Sequence, residues 1–397
     1  MQPLLLSSFT ATSCLGPGLD LTLAGLRSQA SGLAPCRFET VELDTYVGEV
    51  DGVDDIAMRA DLAVFDCRNN RLAQLGLAQD GFAECVRAAV SRVGAERIGV
   101  FVGTSTSGIL QTELAYRHRD RASGALPADF NYAGTHSPFS VADFVRRTLG
   151  LSGPVATISS ACSSSAKVFA SAQRMIAAGL IDAAVVGGVD SLCLTTLYGF
   201  NSLELTSAHP CRPFDPARDG ISIGEGTAFA LLERVPDHLD ADAILLLGVG
   251  ESSDAYHMSS PRPDGLGAQL AMEAALEAGS VTPADVGYIN LHGTATPSND
   301  AAEGTAVATI FGRHTACSST KGATGHALGA AGGIEIVIAA IALRHGFIPA
   351  GVNTTRVDAA IDVDYVLENR ALPISRALSN SFGFGGTNCS VLLGRAH

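Results

Sequence analysis

The stretch from Val155 to Gly188 constrains the fold more than any other part of the chain. Val155, Thr157 and Ile158 are β-formers that lead into the small residues Ser159 to Ala166. After them Val168, Phe169, Ala172, Met175, Ile176 and Leu180 recur at helical spacing, and Asp182 to Gly188 is again an apolar strand. Parallel neighbours in a sheet need a crossover of this kind, so the pattern predicts an α/β fold with a sheet covered on both faces. It also places Cys162 at a strand-to-helix turn. Free N–H groups and the helix dipole at such a turn favour a thiolate. A free cysteine among small residues is, on its own, more often a buried small hydrophobe. Chemistry at Cys162 therefore needs partners elsewhere in the chain.

Composition removes several function classes. The 397 residues are 47% hydrophobic and 17% charged, with 43 glycines, which describes a tightly turned globular protein. Its net charge of −14 argues against nucleic acid as the main partner. The opening Met1 to Leu6 has no basic segment, and its apolar run is too short for a signal peptide or a spanning helix, which predicts a cytoplasmic protein with no membrane insertion. Nine cysteines, an odd number with no C-x-x-C pair, encode neither a disulfide framework nor a zinc ribbon.

Along the chain, a helix is expected over Leu19–Leu26, helical pattern from Asp61 to Val90, and a buried strand over Ile98–Gly103. The second part repeats the alternation, with strands at 243–249, 286–291 and 389–393 and helices at 269–278, 301–311 and 330–343. Two successive α/β halves point to a duplicated architecture divided near Pro236 to Asp242, although no residue-level repeat is visible.

Three further segments offer partners for Cys162. His292 ends a strand and opens Gly293-Thr294-Ala295-Thr296-Pro297, at a carboxyl end of the sheet where ligands of α/β proteins bind. His326 sits in the stretch from Lys321 to Glu335, a Gly/Ala-rich entry into the helix at 330–343. Neither histidine stands at a recognised metal-ligand spacing, so no metal is expected. Asn380 to Asn388 reads as a glycine-flanked loop in which Phe384 can present a backbone N–H to an oxyanion.

Together with Arg212-Pro213-Phe214-Asp215, Arg218-Asp219-Gly220, Gly224-Glu225-Gly226 and Ser253 to Met258, these segments resemble the elongating β-ketoacyl-acyl-carrier-protein synthases of the thiolase superfamily, from about residue 95 to the C-terminus. Ser160-Ala161-Cys162 is similar to the first of the two common bacterial types. The resemblance implies a thiolase-like duplicated α-β-α layered fold with two mixed sheets, residues 1–241 carrying Cys162 and 242–397 carrying both histidines. It implies that Cys162 accepts the acyl group, that His292 and His326 promote decarboxylation of a malonyl thioester, and that Lys321 and Glu335 support His326. Backbone N–H groups of Cys162 and Phe384 would hold the oxyanion, Thr294 and Thr296 would bind the phosphopantetheine arm, Phe384 would gate the pocket, and Ile109 would line it. No resident cofactor is implied. The partners would be acyl carrier protein, a second copy of the chain, or a related synthase-like subunit. An acidic enzyme needs local basic residues to bind an acidic carrier. Arg68 and Arg71 lie in the family's docking region, and Arg117, Arg119 and Arg121 form the densest basic run.

The chain departs from the family pattern at its first strand, where Phe9 to Cys14 replaces the usual Thr-Gly-x-Gly turn, and at Asn299 and Ile221, where glycine and an aromatic are common. Beside fatty-acid elongation, the resemblance therefore also leaves open a specialised aryl-polyene or polyketide pathway. A non-catalytic, chain-length-factor-like role conflicts with the retention of Cys162, His292 and His326, and a coenzyme A-dependent thiolase or initiating synthase conflicts with two histidines at the matched positions.

Overall fold

In the computed structural model, which describes residues 1–396, strand order is the clearest sign of duplication. The first half contains β1 (Leu4–Ser13), β2 (Ile98–Gly103), β3 (Val155–Ile158), β4 (Ala183–Asp190) and β5 (Gly226–Arg234). The second contains β6 (Ile244–Ser253), β7 (Tyr288–Asn290), β8 (Ala316–Ser318), β9 (Asp364–Tyr365), β10 (Arg376–Gly383) and β11 (Thr387–Arg395). The strands lie in the order β3-β2-β4-β5-β1 in one half and β8-β7-β10-β11-β6 in the other, with β9 added outside β8. In both halves the first three strands of this order are parallel and the last two pairings are antiparallel. The segment from 235 to 243 connects the halves.

The two mixed sheets expected from the duplication are joined edge to edge into a twelve-stranded sheet, whose twelfth strand is the short Gly16–Pro17 paired with the end of β1. Leu4, Leu5 and Leu6 of β1 pair antiparallel with Leu246, Leu245 and Ile244 of β6. Each of these strands is the edge of its own half, and a short mutual pairing satisfies backbone groups that an edge leaves open. β1 is complete through Ser13 despite its unusual sequence.

The helices that matter for the site are α1 (Arg68–Leu77), α2 (Ile109–Arg117), α3 (Ser164–Ala177), α4 (Leu194–Ser202), α5 (Leu266–Gly279), α6 (Pro297–Phe311) and α7 (Ala331–His345). α3 and α7 follow the equivalent strands β3 and β8 and share the central core with the inner faces of both halves. Alternate residues divide cleanly: Ala184 and Val186 of β4 face this layer, while Val185 and Val189 face the outer cluster with α1. α5 and α6 cover the outer face of the second half. Every residue of α7 from Ala331 to Leu343 is buried, as expected for a helix apolar all round. The segment Leu328–His345 is long and apolar enough to cross a membrane, yet 89% of it is buried inside this fold.

Two local expectations change. The helical pattern of 61–90 is broken at residues 78–81, where Gly81 has φ +66°, and the chain restarts as a separate helix, Phe82–Val93. The stretch Asn380 to Asn388 is not a loop: it is the end of β10, a tight turn at Phe384–Gly386 and the start of β11. β10 itself, with sequence RALSNSFG, carries too many small polar residues to signal a strand, and its burial between β7 and β11 overrides that composition.

The nucleophile turn can lie on the sheet because β2 ends in Gly103 and β4 carries Gly188 beside it. A Cβ at Gly103 would stand 2.4 Å from Ser165 N, and one at Gly188 would stand 2.4 Å from Ser165 Cβ. Gly103→Ala is expected to destabilise the fold by about 1–3 kcal/mol through overpacking. Gly199→Ala, on α4 with open space around it, is expected to be neutral or stabilising by about 0.5–1 kcal/mol. Chemical denaturation of the two variants checks the contrast.

Candidate active site

Cys162 sits between the end of β3 and the start of α3 and is 6% exposed. Ala161 before it has φ +51°, a left-handed backbone that a non-glycine residue adopts only under constraint. The turn is held by its own serines: Ser164 Oγ donates to the Ala161 carbonyl at 2.5 Å and accepts the Ser160 N–H at 2.9 Å, and Ser163 Oγ donates to the Ser160 carbonyl. Burial outweighs the helix terminus here and pushes the thiol up to about 11, against the pull of the Lys321 charge and the Phe384 N–H. The resting group is a thiol rather than the thiolate suggested by its place in the sequence.

Both histidines meet it. His326 Nε2 lies 3.1 Å from Cys162 Sγ, and the His292 and His326 rings are 5.3 Å apart at 84°. Strand pairing and backbone bonds fix both residues. His326 donates its N–H to the Ser222 carbonyl and accepts from the Gly224 N–H, which ties it to the first half. His292 and Gly293 donate their N–H groups to Glu303 of α6 at 2.8 and 2.7 Å. Lys321 Nζ reaches the His292 carbonyl at 2.5 Å, His292 Nδ1 at 3.3 Å and the Glu335 carboxylate. An ammonium group only donates, so His292 Nδ1 accepts and the ring hydrogen resides on Nε2, toward the pocket. Burial and the nearby Lys321 charge hold both imidazoles well below their usual range, so both are neutral. Sγ and the two ring nitrogens fall within 4.8 Å of one another, the one trio among the described residues close enough to hold a metal ion.

The hairpin turn completes the arrangement. The Phe384 N–H favours the ionised form of the Cys162 thiol, and a Cβ on Gly383 would begin 3.1 Å from Cys162 N, so a larger residue there would push the two turns apart by a few tenths of an ångström. The Phe384 ring packs on Phe200 of α4 at 5.5 Å. A narrow pocket of about 50 Å³ leads to Cys162, walled by Thr294, Thr296, Phe200, Leu205, Phe382 and Phe384. Ile221 and Asn299, the two departures from the family pattern, both line it. Ile109 does not: it sits half-buried at the start of α2, one layer behind, against the cluster that contains Ile221 and Phe200.

The proposed docking pair is corrected. Arg68 is 5% exposed, bonds Glu225 through Nε and Nη2 at 3.0 and 2.6 Å, and also pairs with Asp54 and Glu49. Arg71 bonds both oxygens of Asp66. Buried or bidentate pairs of this kind leave no guanidinium for a partner. Arg117, Arg119 and Arg121 are exposed, and the bonds of the first two go to Thr40 Oγ1 and the Tyr116 carbonyl rather than to carboxylates.

Sequence reasoning missed two carboxylates. Glu303, pushed up to about 7 by burial, holds the backbone of His292. Asp190, at the end of β4, accepts from the Ser105 and Thr106 N–H groups, the Thr104 hydroxyl and the Gly329 N–H, joining the loop after β2 to the approach to α7. Acidic residues on otherwise apolar elements were the available signal. The Arg212 to Gly220 loop proves to be a clamp: the Phe214 N–H donates to Asp300 at 2.8 Å, Arg218 pairs with Asp358 at 2.7 Å, and Asp215 accepts the Thr355 N–H.

Comparison with known proteins agrees with this geometry. The model of the β-ketoacyl synthase N-terminal domain matches residues 8–238, and that of its C-terminal domain matches 244–355. A 3-oxoacyl-[acyl-carrier-protein] synthase 2 from Synechocystis is 35% identical over 325 residues, 76% of each chain, and one from Vibrio harveyi is 34% identical over 323 residues, again 76% of each. These relatives are named synthase 2, so the likeness of one tripeptide to the first type does not extend to them. A ketosynthase solved in complex with its chain length factor, from Xenorhabdus doucetiae, is 38% identical with a TM-score of 0.90, covering 100% of this chain and 98% of its own. A β-ketoacyl synthase structure from Burkholderia phymatum is 28% identical with a TM-score of 0.88, covering 100% of both chains. The matched halves meet around Cys162, His292 and His326, and the chain belongs to the β-ketoacyl synthase family.

Proposed function

We propose that the protein is an active 3-oxoacyl-acyl-carrier-protein synthase that joins an acyl group on Cys162 to a malonyl carrier thioester with loss of carbon dioxide. The observation that carries this reading is the meeting of Cys162 with two neutral, buried imidazoles and a backbone N–H beside its sulfur.

In the first half-reaction Cys162 Sγ attacks the acyl thioester while its proton passes to His326 Nε2 and then to the departing thiol of the phosphopantetheine arm. The Cys162 and Phe384 N–H groups face the oxyanion. In the second, the Nε2–H of His292 donates to the malonyl thioester oxygen, and His326 joins it once its ring hydrogen has moved from Nδ1 to Nε2. The bond to the carboxylate breaks, carbon dioxide leaves, and the electron pair becomes an enolate held by those donors. The enolate carbon attacks the acyl-cysteine carbonyl, Cys162 departs as the thiolate and takes up one proton from solvent to restore the thiol, and a 3-oxoacyl thioester longer by two carbons remains. Lys321 supplies charge and fixes the His292 tautomer; Glu335 balances Lys321. The reading calls for no resident cofactor, because the carrier's arm delivers both substrates, and it places the enzyme in the cytoplasm.

Fatty-acid elongation is the primary assignment, in line with the synthase 2 relatives. A specialised pathway, with a related subunit in place of a second copy, is favoured by one observation: the Xenorhabdus ketosynthase matches the whole chain at 38% identity and was solved with its chain length factor. Intact-mass measurement after incubation with saturated, unsaturated and aryl-conjugated acyl carriers separates the two. Loading by medium and long saturated chains supports elongation, and exclusive loading by unsaturated or aryl chains supports the specialised pathway.

Cys162→Ala is expected to abolish condensation, and Cys162→Gln to abolish acyl transfer while retaining malonyl decarboxylation, because the histidine pair is intact; carbon dioxide release and product formation are measured separately. With the thiol pushed up to about 11, alkylation of Cys162 by iodoacetamide is expected to keep accelerating above pH 9 instead of levelling off near neutrality. For the carrier, Arg119→Glu with Arg121→Glu is expected to weaken binding at low salt and leave stability unchanged. Arg68→Ala is expected to cost about 3–5 kcal/mol of stability, because it strands the buried Glu225. Denaturation and carrier titration across ionic strength distinguish these outcomes.

A further inference from the structure

We infer that Asn299 binds the phosphopantetheine arm, its carboxamide oxygen accepting a hydrogen bond from an amide N–H of the arm. This rests on the condensing reading above and specifies how that site recognises its substrate. Asn299 lies in the first turn of α6, 8% exposed, and its side chain lines the pocket between the surface and Cys162. Its Nδ2 donates to Asp300 Oδ1 at 3.1 Å. Asp300 is fully buried, and its other oxygen accepts the Phe214 N–H at 2.8 Å and stands 3.7 Å from Arg218. The carboxylate therefore cannot turn away. With its nitrogen committed to a fixed acceptor, the amide is held in one orientation, and its oxygen accepts no hydrogen bond from the described residues, which leaves it for a ligand in the pocket that Asn299 lines.

The chemistry of the neighbouring groups says which ligand atom suits that oxygen. Thr294 and Thr296 bond each other at 2.9 Å, so one hydroxyl hydrogen is spent between them and the other remains for an acceptor on the ligand. The phosphopantetheine arm carries two secondary amides, each with one acceptor and one donor. A threonine hydroxyl satisfies a carbonyl, and Asn299 Oδ1 supplies the acceptor that an N–H requires. An acyl chain has no donor to offer, and a malonyl carboxylate is repelled by a carbonyl oxygen, so the contact belongs to the arm and not to the reacting end.

The test compares Asn299→Ala and the volume-preserving Asn299→Leu with the unaltered enzyme on three malonyl donors: the carrier thioester, the N-acetylcysteamine thioester, which keeps the amide beside the sulfur, and an ethyl thioester, which has none. Iodoacetamide labelling of Cys162 verifies that the site is intact in each variant. KM for the carrier thioester is expected to rise about three- to ten-fold with kcat within two-fold, the size of one lost hydrogen bond. KM for the ethyl thioester is expected to stay at the unaltered enzyme's value. A parallel rise on the N-acetylcysteamine donor assigns the contact to the inner amide, and a rise on the carrier alone assigns it to the outer one. An equal rise on the ethyl thioester, or no rise on the carrier, overturns the inference. Absence of condensation by the unaltered enzyme on every donor would instead overturn the condensing reading.

Discussion

A buried ammonium group organises the site. Lys321 is 1% exposed, and removing a charge from water is expensive unless strong partners receive it. Its Nζ meets the Glu335 carboxylate, the His292 carbonyl and His292 Nδ1, three acceptors for three hydrogens. These partners come from separate elements: His292 from the strand end after β7, Lys321 from the turn after β8, and Glu335 from α7. Burial, aided by that charge, keeps two imidazoles neutral. Structural and chemical demands thus converge on one side chain, since a neutral His292 with its hydrogen on Nε2 is the form able to stabilise an enolate.

The nucleophile depends on a different constraint, the close approach of backbones. Gly103, Gly188 and Gly383 leave room for the turn at Cys162 to press against β2, β4 and the β10–β11 hairpin. Because α3 and α7 occupy equivalent places in the two halves, the duplication brings a nucleophile at the start of one helix against a histidine just before the other. A two-fold repetition of topology thereby produces an asymmetric site, with sulfur from one half and both imidazoles from the other.

Much of this was legible from residues alone. Cys162 and His292 announced themselves through strands that end in polar or glycine-rich turns, His326 through the Gly/Ala-rich entry to a helix, and Lys321 only through the family resemblance. β10 was not legible, because its small polar residues become strand only through neighbours on both sides. Arg68 misled for a related reason: its sequence position says nothing about Glu225, 157 residues away, whose carboxylate neutralises it inside the fold. The reactivity of Cys162 also escaped, since a helix terminus is visible in sequence whereas the burial that raises the thiol's pKa is a property of the assembled chain. Glu303 lies on an apolar helix and could have been read from that contrast.

The three-residue pairing of β1 with β6 bears on how such a chain reaches its native state. β1 is made long before its neighbours on both sides, β5 and β6, which begin at Gly226 and Ile244. Contacts of such sequence separation close slowly, because the loop entropy must be met before the pairing rewards it. The first half therefore cannot finish its own sheet until its last strand has been made, and the seam to the second half forms only after that. The amino-terminal decapeptide spends most of synthesis as an unmatched apolar strand, which makes it the segment on which a nascent chain of this family most depends for protection from aggregation.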